Sequence, residues 1–204
     1  MATDGCRRRS SAGPVIYRAD RVGQGGRSFV MLKLRTMRLG LEGQGAITSA
    51  TDPRIFPVGR WIRRLKLDEL PQLVNVVQGD MALVGPRPEA TEVVRDAYEP
   101  WMLETLTVPP GITGPGSLRY IRQERELPDS PVEAAQVYVT ELLPQKLARE
   151  LVYVRNRCFR YECQLILRTI LSVVGAEGLM ARSIEREALK AQEILSLANS
   201  ERGR

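Results

Sequence analysis

The sequence predicts an α+β fold, predominantly helical with a small β-hairpin or sheet, and three observations carry that prediction. Short β-like runs flank a glycine-rich turn near the N-terminus, and helical periodicity dominates the C-terminal half. No internal repeat or low-complexity tract interrupts the chain. At 204 residues, 43% hydrophobic and 26% charged, it is long enough to bury a core and ordinary in composition for a globular protein.

In order, residues 1–12 read as a disordered basic tail, residues 13–175 as the body, and residues 176–204 as a charged helix and tail. Val15 to Arg18 and Ser28 to Leu34 are β-like runs around Gly23-Gln-Gly-Gly-Arg27, the pattern of a hairpin. No helix signal follows those glycines, so they are turn chemistry and not a phosphate-cradling loop. Gly40 to Thr51 is a polar loop, and Val58 to Leu67 reads as a helix with its basic residues crowded on one side. Asp68 then reads as the N-cap of a short apolar helix, with Pro71 in its first turn and Gly79 as its stop. Gly85-Pro-Arg-Pro88 is extended, because a residue before proline avoids the helical region. Thr91 to Leu106 is a candidate helix and Pro109 to Pro115 a rigid loop. Pro131 to Val154 is helical with an interruption near Pro144, Phe159 to Val174 is amphipathic, and Ser183 to Ala198 is a charged helix.

Bulk chemistry narrows the function. The net charge of +6 suits an anionic partner such as a nucleotide, a phosphate or a lipid headgroup. Only 5% of residues are aromatic and no recognition helix is apparent, which argues against a nucleic-acid partner. Cys6, Cys158 and Cys163 form no metal-ligand pattern and read as reduced thiols. The longest apolar stretch, Leu165 to Ala176, contains Arg168 and falls short of the roughly 20 residues that a spanning helix needs.

The chain contains no histidine, so the side chain most often used for proton transfer near neutral pH is missing. Asp68-Glu69 follows the cations Arg60, Arg63, Arg64 and Lys66. As a helix start, the pair would stabilise by about 1–2 kcal/mol through capping and the helix dipole. As a reactive pair it fits phosphoryl transfer, because an ionised carboxylate attacks phosphorus without a base to activate it. Arg63 and a divalent ion would then offset repulsion between nucleophile and substrate, with Glu69 the natural Mg²⁺ ligand. Arg87, between Pro86 and Pro88, is stiffly presented and suits gripping a phosphate. Lys33 and Arg35 alternate on a strand, so they share a face that either lines a phosphate site or meets solvent.

Asp52-Pro-Arg, Leu67-Asp-Glu-Leu-Pro-Gln-Leu73, Gly79-Asp-Met81, Val84-Gly-Pro-Arg-Pro-Glu89 and Pro110-Gly-Ile-Thr-Gly114 occur in this order, with Gly13-Pro-Val, Arg21-Val-Gly and Lys33-Leu-Arg-Thr-Met37 before and among them. The ordered set, over roughly Gly13 to Leu171, resembles the bacterial sugar transferases, the monotopic polyprenyl-phosphate phosphoglycosyl transferases. The resemblance implies a catalytic domain over 13–175. It implies transfer of a phospho-sugar from a UDP-sugar to a polyprenyl phosphate with release of UMP, initiating exopolysaccharide or glycoconjugate assembly. Asp68 would form the phosphosugar intermediate and Glu69 would bind Mg²⁺. Lys33, Arg35 and Arg63 would lie around the diphosphate, with Pro86, Arg87 and Pro88 near the nucleotide. Family members carry an apolar re-entrant helix before the position of Gly13, where this sequence is polar, and Glu162 and Pro109 replace an Asp and a basic residue. The expected location is the cytoplasmic face of the bacterial inner membrane, peripheral through Arg7 to Arg9 and anionic lipid, or the cytoplasm if the helix is absent. The rival expectation is a truncated, catalytically silent chain that binds a nucleotide sugar or a partner protein.

Overall fold

The structure, a computed structural model, describes residues 13–38, 52–118, 128, 130–176 and 181–202. The tail read over 1–12 and the loop read over 40–51 lie outside the described residues. The architecture is the expected helix-rich α+β, with two small two-stranded sheets.

β1 (Ile16–Val22) and β2 (Ser28–Leu34) form the antiparallel hairpin, with Ile16 opposite Leu34 and Val22 opposite Ser28. β1 runs further than the sequence indicated because Ala19 pairs with Met31 across the ladder and both are buried against Met81. The chain continues past β2 to a bridge between Met37 and Ile55. There Asp52 Oδ1 accepts from the Arg54 backbone N–H at 2.8 Å, and Oδ2 pairs with the Arg54 guanidinium at 2.6 Å. The Asp-Pro-Arg motif is therefore a buried, paired brace.

α1 (Pro57–Arg64) leads into a 3-10 turn (Leu67–Glu69) and then α2 (Gln72–Gln78), which ends on Gly79 at φ 85°. Only glycine adopts that left-handed cap without penalty, and it satisfies the final carbonyls of the helix. Asp68 is not the N-cap: it lies inside the 3-10 turn, and the residue capping α2 is Pro71, with no side-chain hydrogen bond. Moreover α2 is inverted. Its polar residues Gln72 and Asn75 are 0% and 1% exposed, while Leu73, Val74 and Val77 face outward.

β3 (Ala82–Val84) and β4 (Gly111–Thr113) pair in parallel, so the segment expected to be a rigid loop over 109–115 contains a strand. Between them lie α3 (Thr91–Ala97) and a 3-10 helix (Pro100–Thr107), where the sequence indicated one helix. The break falls at Glu99, extended at φ −91° and ψ 162°, because proline disfavours helical backbone in the residue before it.

α4 (Pro131–Val137) passes through a π-helical turn (Tyr138–Leu142) into α5 (Leu143–Asn156). Pro144 cannot donate a helix hydrogen bond, and the wide turn precedes it. α5 is the core of the fold, with Leu143, Leu147, Ala148 and Leu151 all fully buried. α6 (Phe159–Val173) packs Leu165 with Val84 and Tyr153, and α7 (Ala181–Arg202) packs Ala191 on Ala148 and Val152. Glu187 of α7 accepts from Arg168 at 2.6 Å and from the Tyr161 hydroxyl at 2.9 Å.

Two backbones meet closely where β4 passes the end of β3. A Cβ on Gly85 would lie 2.5 Å from the Pro109 carbonyl oxygen and 2.8 Å from the Gly111 nitrogen, and one on Gly111 would strike the Gly85 backbone. Gly111→Ala is expected to destabilise the chain by about 1–3 kcal/mol through overpacking. The urea midpoint measures this, and an unchanged midpoint would mean that the crossing is looser than described.

Candidate active site

Local backbone creates the site. α1 ends at Leu65, and Lys66 then turns left-handed at φ 59°, the one non-glycine with positive φ among the described residues. Such a conformation costs of order 1–3 kcal/mol and persists where the surroundings enforce it. Here it reverses the chain so that the following turn points Asp68 and Glu69 inward, 8% and 9% exposed. Asn75 then locks this segment to the hairpin: its Nδ2 donates to the Val30 carbonyl at 2.8 Å and its Oδ1 accepts from the Leu32 N–H at 3.0 Å. That clamp brings Lys33, the next residue of β2, towards the carboxylate pair.

The opposite wall is the extended Pro86-Arg87-Pro88 segment. Arg87 donates through Nη2 to Glu69 Oε1 at 2.7 Å, and Lys66 Nζ lies 3.5 Å from the same oxygen. The segment is anchored by the Gly111 N–H, which donates to the Pro86 carbonyl at 2.8 Å. Pro86, Arg87 and Pro88, with Val22, Tyr98 and Leu106, also line a narrow crevice.

Charge and burial shift the two carboxylates in opposite directions. Burial pushes Glu69 up, but Arg87, Lys66 and Lys33 more than offset that and hold it near 2, so it is an anion at neutral pH. Asp68 is shifted the other way: burial and the neighbouring Glu69 charge raise it, against Lys33, Lys66 and Arg63. Its Oδ1 is buried without a hydrogen-bond partner among the described residues. Lys33, half-buried, is lowered to about 7 by desolvation and then by Arg87. Arg87 is pushed down by burial, yet Glu69 and Asp68 hold it above its ordinary value.

The structure thus gathers Lys33, Asp68, Glu69 and Arg87, with Pro86 and Pro88 framing Arg87. Arg63 stands at the edge: its Nε donates to Thr36 Oγ1 at 3.0 Å, while its charge is felt by Asp68. Arg35 is directed elsewhere, because β2 ends at Leu34 and the guanidinium donates to the carbonyls of Pro14 at 2.6 Å and Met37 at 3.2 Å.

Three polar residues of this region, Gln72, Glu150 and Glu89, carry no individual role in the sequence reading. Gln72 is fully buried one helical turn after Asp68, and neither amide atom has a hydrogen-bond partner among the described residues. A 4-then-3 spacing of polar residues, Asp68, Gln72 and Asn75, was the available signal for an inward polar stripe. Glu150, in the core helix α5, is fully buried and reaches the Arg87 backbone N–H at 3.5 Å. Nothing in the surrounding sequence sets it apart from an ordinary helix-surface glutamate. Glu89 accepts from the buried Lys146 ammonium and from the Tyr138 hydroxyl at 2.8 Å, which ties the segment after Pro88 to α5.

Glu150 has a titration consequence. Burial raises it to about 8, with Lys146 and the Arg87 N–H pulling down and Glu187 and Glu89 pushing up. The folded chain therefore keeps a proton that the unfolded chain loses from its ordinary value of 4.5. This contribution to stability is full below that value and is lost as pH rises through about 8. Melting of wild type and Glu150→Gln from pH 5 to 8.5 tests this. The melting temperature of the variant should rise relative to wild type across that interval, and a constant difference would refute it.

A family model described as bacterial sugar transferase matches residues 4–176. Over 171 residues the chain is 36% identical to a UDP-glucose:undecaprenyl-phosphate glucose-1-phosphate transferase of Caulobacter vibrioides, covering 82% of this chain and 60% of that protein. Over 78 residues it is 51% identical to a putative undecaprenyl-phosphate N-acetylgalactosaminyl 1-phosphate transferase of Bacillus subtilis, covering 38% of this chain and 44% of that protein. An Escherichia coli protein named as a UDP-glucose:undecaprenyl-phosphate glucose-1-phosphate transferase is 35% identical over 166 residues, covering 79% of this chain and 33% of its own length. The chain thus spans three-fifths or less of the length of these relatives. With the matched region taking in the carboxylate pair, the Pro-Arg-Pro segment and the helices that hold them, the chain belongs to the bacterial sugar transferase family.

Proposed function

We propose that this chain transfers a phospho-sugar from a UDP-sugar to a polyprenyl phosphate, in two steps through Asp68. The observation that carries the reading is the division of the pair: Asp68 has a buried oxygen with no partner among the described residues, beside a Glu69 already held by cations. In the first step the Asp68 carboxylate attacks the sugar-bearing phosphorus. The bond from that phosphorus to the bridging oxygen breaks, and UMP leaves with the oxygen. In the second, a phosphate oxygen of the polyprenyl phosphate attacks the same phosphorus and releases Asp68 unchanged. Neither nucleophile needs a general base, which suits a chain without histidine. Arg87, held charged by Glu69 and Asp68, presents positive charge where negative charge would develop on the leaving UMP, with Lys33 beside it, and relatives named for UDP-glucose and undecaprenyl phosphate support the substrate classes.

The residues fit Mg²⁺. A carboxylate kept ionised, Glu69, stands next to an Asp68 oxygen that is buried without a hydrogen-bond partner among the described residues, and Mg²⁺ favours one or two carboxylates completed by phosphate oxygens. Glu69 would hold the ion, which when bound neutralises charge on the diphosphate.

The surface around the pair supports a place at a membrane face. Along α1, the turn and α2, Trp61, Leu65, Leu70, Leu73, Val74 and Val77 are exposed, up to 88% at Val77, beside the exposed cations Arg60 and Arg64. Apolar side chains turned outward among arginines suit the headgroup region of an anionic bilayer, where a polyprenyl acceptor resides.

Incubation with UDP-glucose or UDP-N-acetylgalactosamine and Mg²⁺ should add one phospho-sugar to the intact mass, mapped to Asp68. Asp68→Asn should abolish the adduct and lower UMP release by at least about 1,000-fold. No adduct, together with unchanged release from the variant, would reject the mechanism. In flotation assays the chain should associate with vesicles containing phosphatidylglycerol, and Trp61→Ser with Val77→Ser should weaken this by about tenfold. Equal binding by wild type and the double variant would reject that surface.

A further inference from the structure

Glu150 lies in the core helix, yet its carboxyl group ends at the site. Oε1 accepts from the Arg87 backbone N–H at 3.5 Å, and Oε2 has no hydrogen-bond partner among the described residues. The backbone opposite is cut to fit the group. A Cβ on Gly114 would lie 2.8 Å from Oε2, and one on Gly116 would lie 2.5 Å from Oε1. Proline has no N–H, so between Pro86 and Pro88 the Arg87 amide is the sole backbone donor, and Glu150 is its acceptor. At its other end, Arg87 meets Glu69 at 2.7 Å. A continuous set of contacts thus runs from α5 through one stiff residue to the carboxylate pair. A buried carboxyl retained with one oxygen unpaired is a liability for stability alone, and such exceptions call for a role.

We propose that Glu150 is a positioning residue for the transfer: by holding the Arg87 amide it sets where the guanidinium meets Glu69 beside the reacting aspartate. This rests on the reading of Asp68 and Glu69 as the reacting pair. Glu150 touches no substrate. It acts on the rate by fixing the angle and depth of Arg87, and a displacement of about 1 Å at such a group can lower a rate by as much as about 100-fold.

The test compares the wild-type chain with Glu150→Ala, Glu150→Gln and, as a core control, Leu147→Ala. Two readouts are used: hydrogen exchange at the Arg87 amide without substrate, and kcat and KM for UMP release from UDP-glucose and UDP-N-acetylgalactosamine with undecaprenyl phosphate. Glu150→Ala should speed exchange at Arg87 by about tenfold and lower kcat by about 10–100-fold, with KM moving less than about threefold. Glu150→Gln keeps an acceptor oxygen in place and should recover most of both losses. Leu147→Ala should melt earlier yet, where folded, leave Arg87 exchange and kcat at wild-type values. Wild-type exchange or wild-type kcat in Glu150→Ala overturns the proposal, as does a Gln variant no better than Ala. If Glu150→Ala does not fold, Glu150→Asp, whose carboxyl falls a methylene short of the amide, is judged by the same criteria. Should the wild type release no UMP from either nucleotide sugar, the proposed reaction fails, and the exchange measurement still decides whether Glu150 holds Arg87.

Discussion

A guanidinium withdrawn from water beside a glutamate organises this protein. Arg87 sits between two prolines, its side chain only 17% exposed, and a charge so placed is tolerable only with an ionised partner at contact distance. Glu69 is that partner, and its ionisation is secured in turn by Lys66 and Lys33. At the adjacent Asp68, burial and the like charge of Glu69 outweigh the pull of Lys33, Lys66 and Arg63. Two neighbouring carboxylates thereby acquire opposite shifts, the usual physical basis for giving adjacent groups different tasks.

The scaffold meets this demand from three directions. The left-handed Lys66 turns the pair inward, Asn75 ties the segment to β2, and the crossing of Gly85 with Gly111 brings the Pro-Arg-Pro segment across from the other side. α5 backs the whole arrangement, with leucines that build the core and with Lys146 and Glu150 that reach from it towards Glu89 and Arg87. The leucine core and the candidate site therefore share one helix, whose buried polar residues are Lys146 and Glu150.

α2 shows most clearly why pattern and burial disagree. The sequence reads as a short apolar helix between Asp68 and Gly79, and its apolar residues include Leu70, Leu73, Val74 and Val77. In the fold those residues are exposed and Gln72 and Asn75 are interior. A helix in an aqueous protein buries its apolar face. α2 reverses that pattern: Asn75 bonds the backbone of Val30 and Leu32, so the inner face joins this segment to the hairpin through hydrogen bonds.

Much of the site was legible because its chemistry is local in sequence. The carboxylate pair, the Pro-Arg-Pro stiffening, the hairpin, the stop at Gly79 and the absence of histidine depend on residue type and near neighbours, and those the sequence determined by itself. The strand over Gly111–Thr113, the break before Pro100, the role of Asp68 within a turn instead of at a cap, and the departure of Arg35 from the cluster were decided only by tertiary structure. So was the meeting of Glu150 with Arg87, 63 residues apart. A parallel strand pair and a buried carboxyl acquire their partners from distant parts of the chain, and no local propensity encodes which distant group will be there.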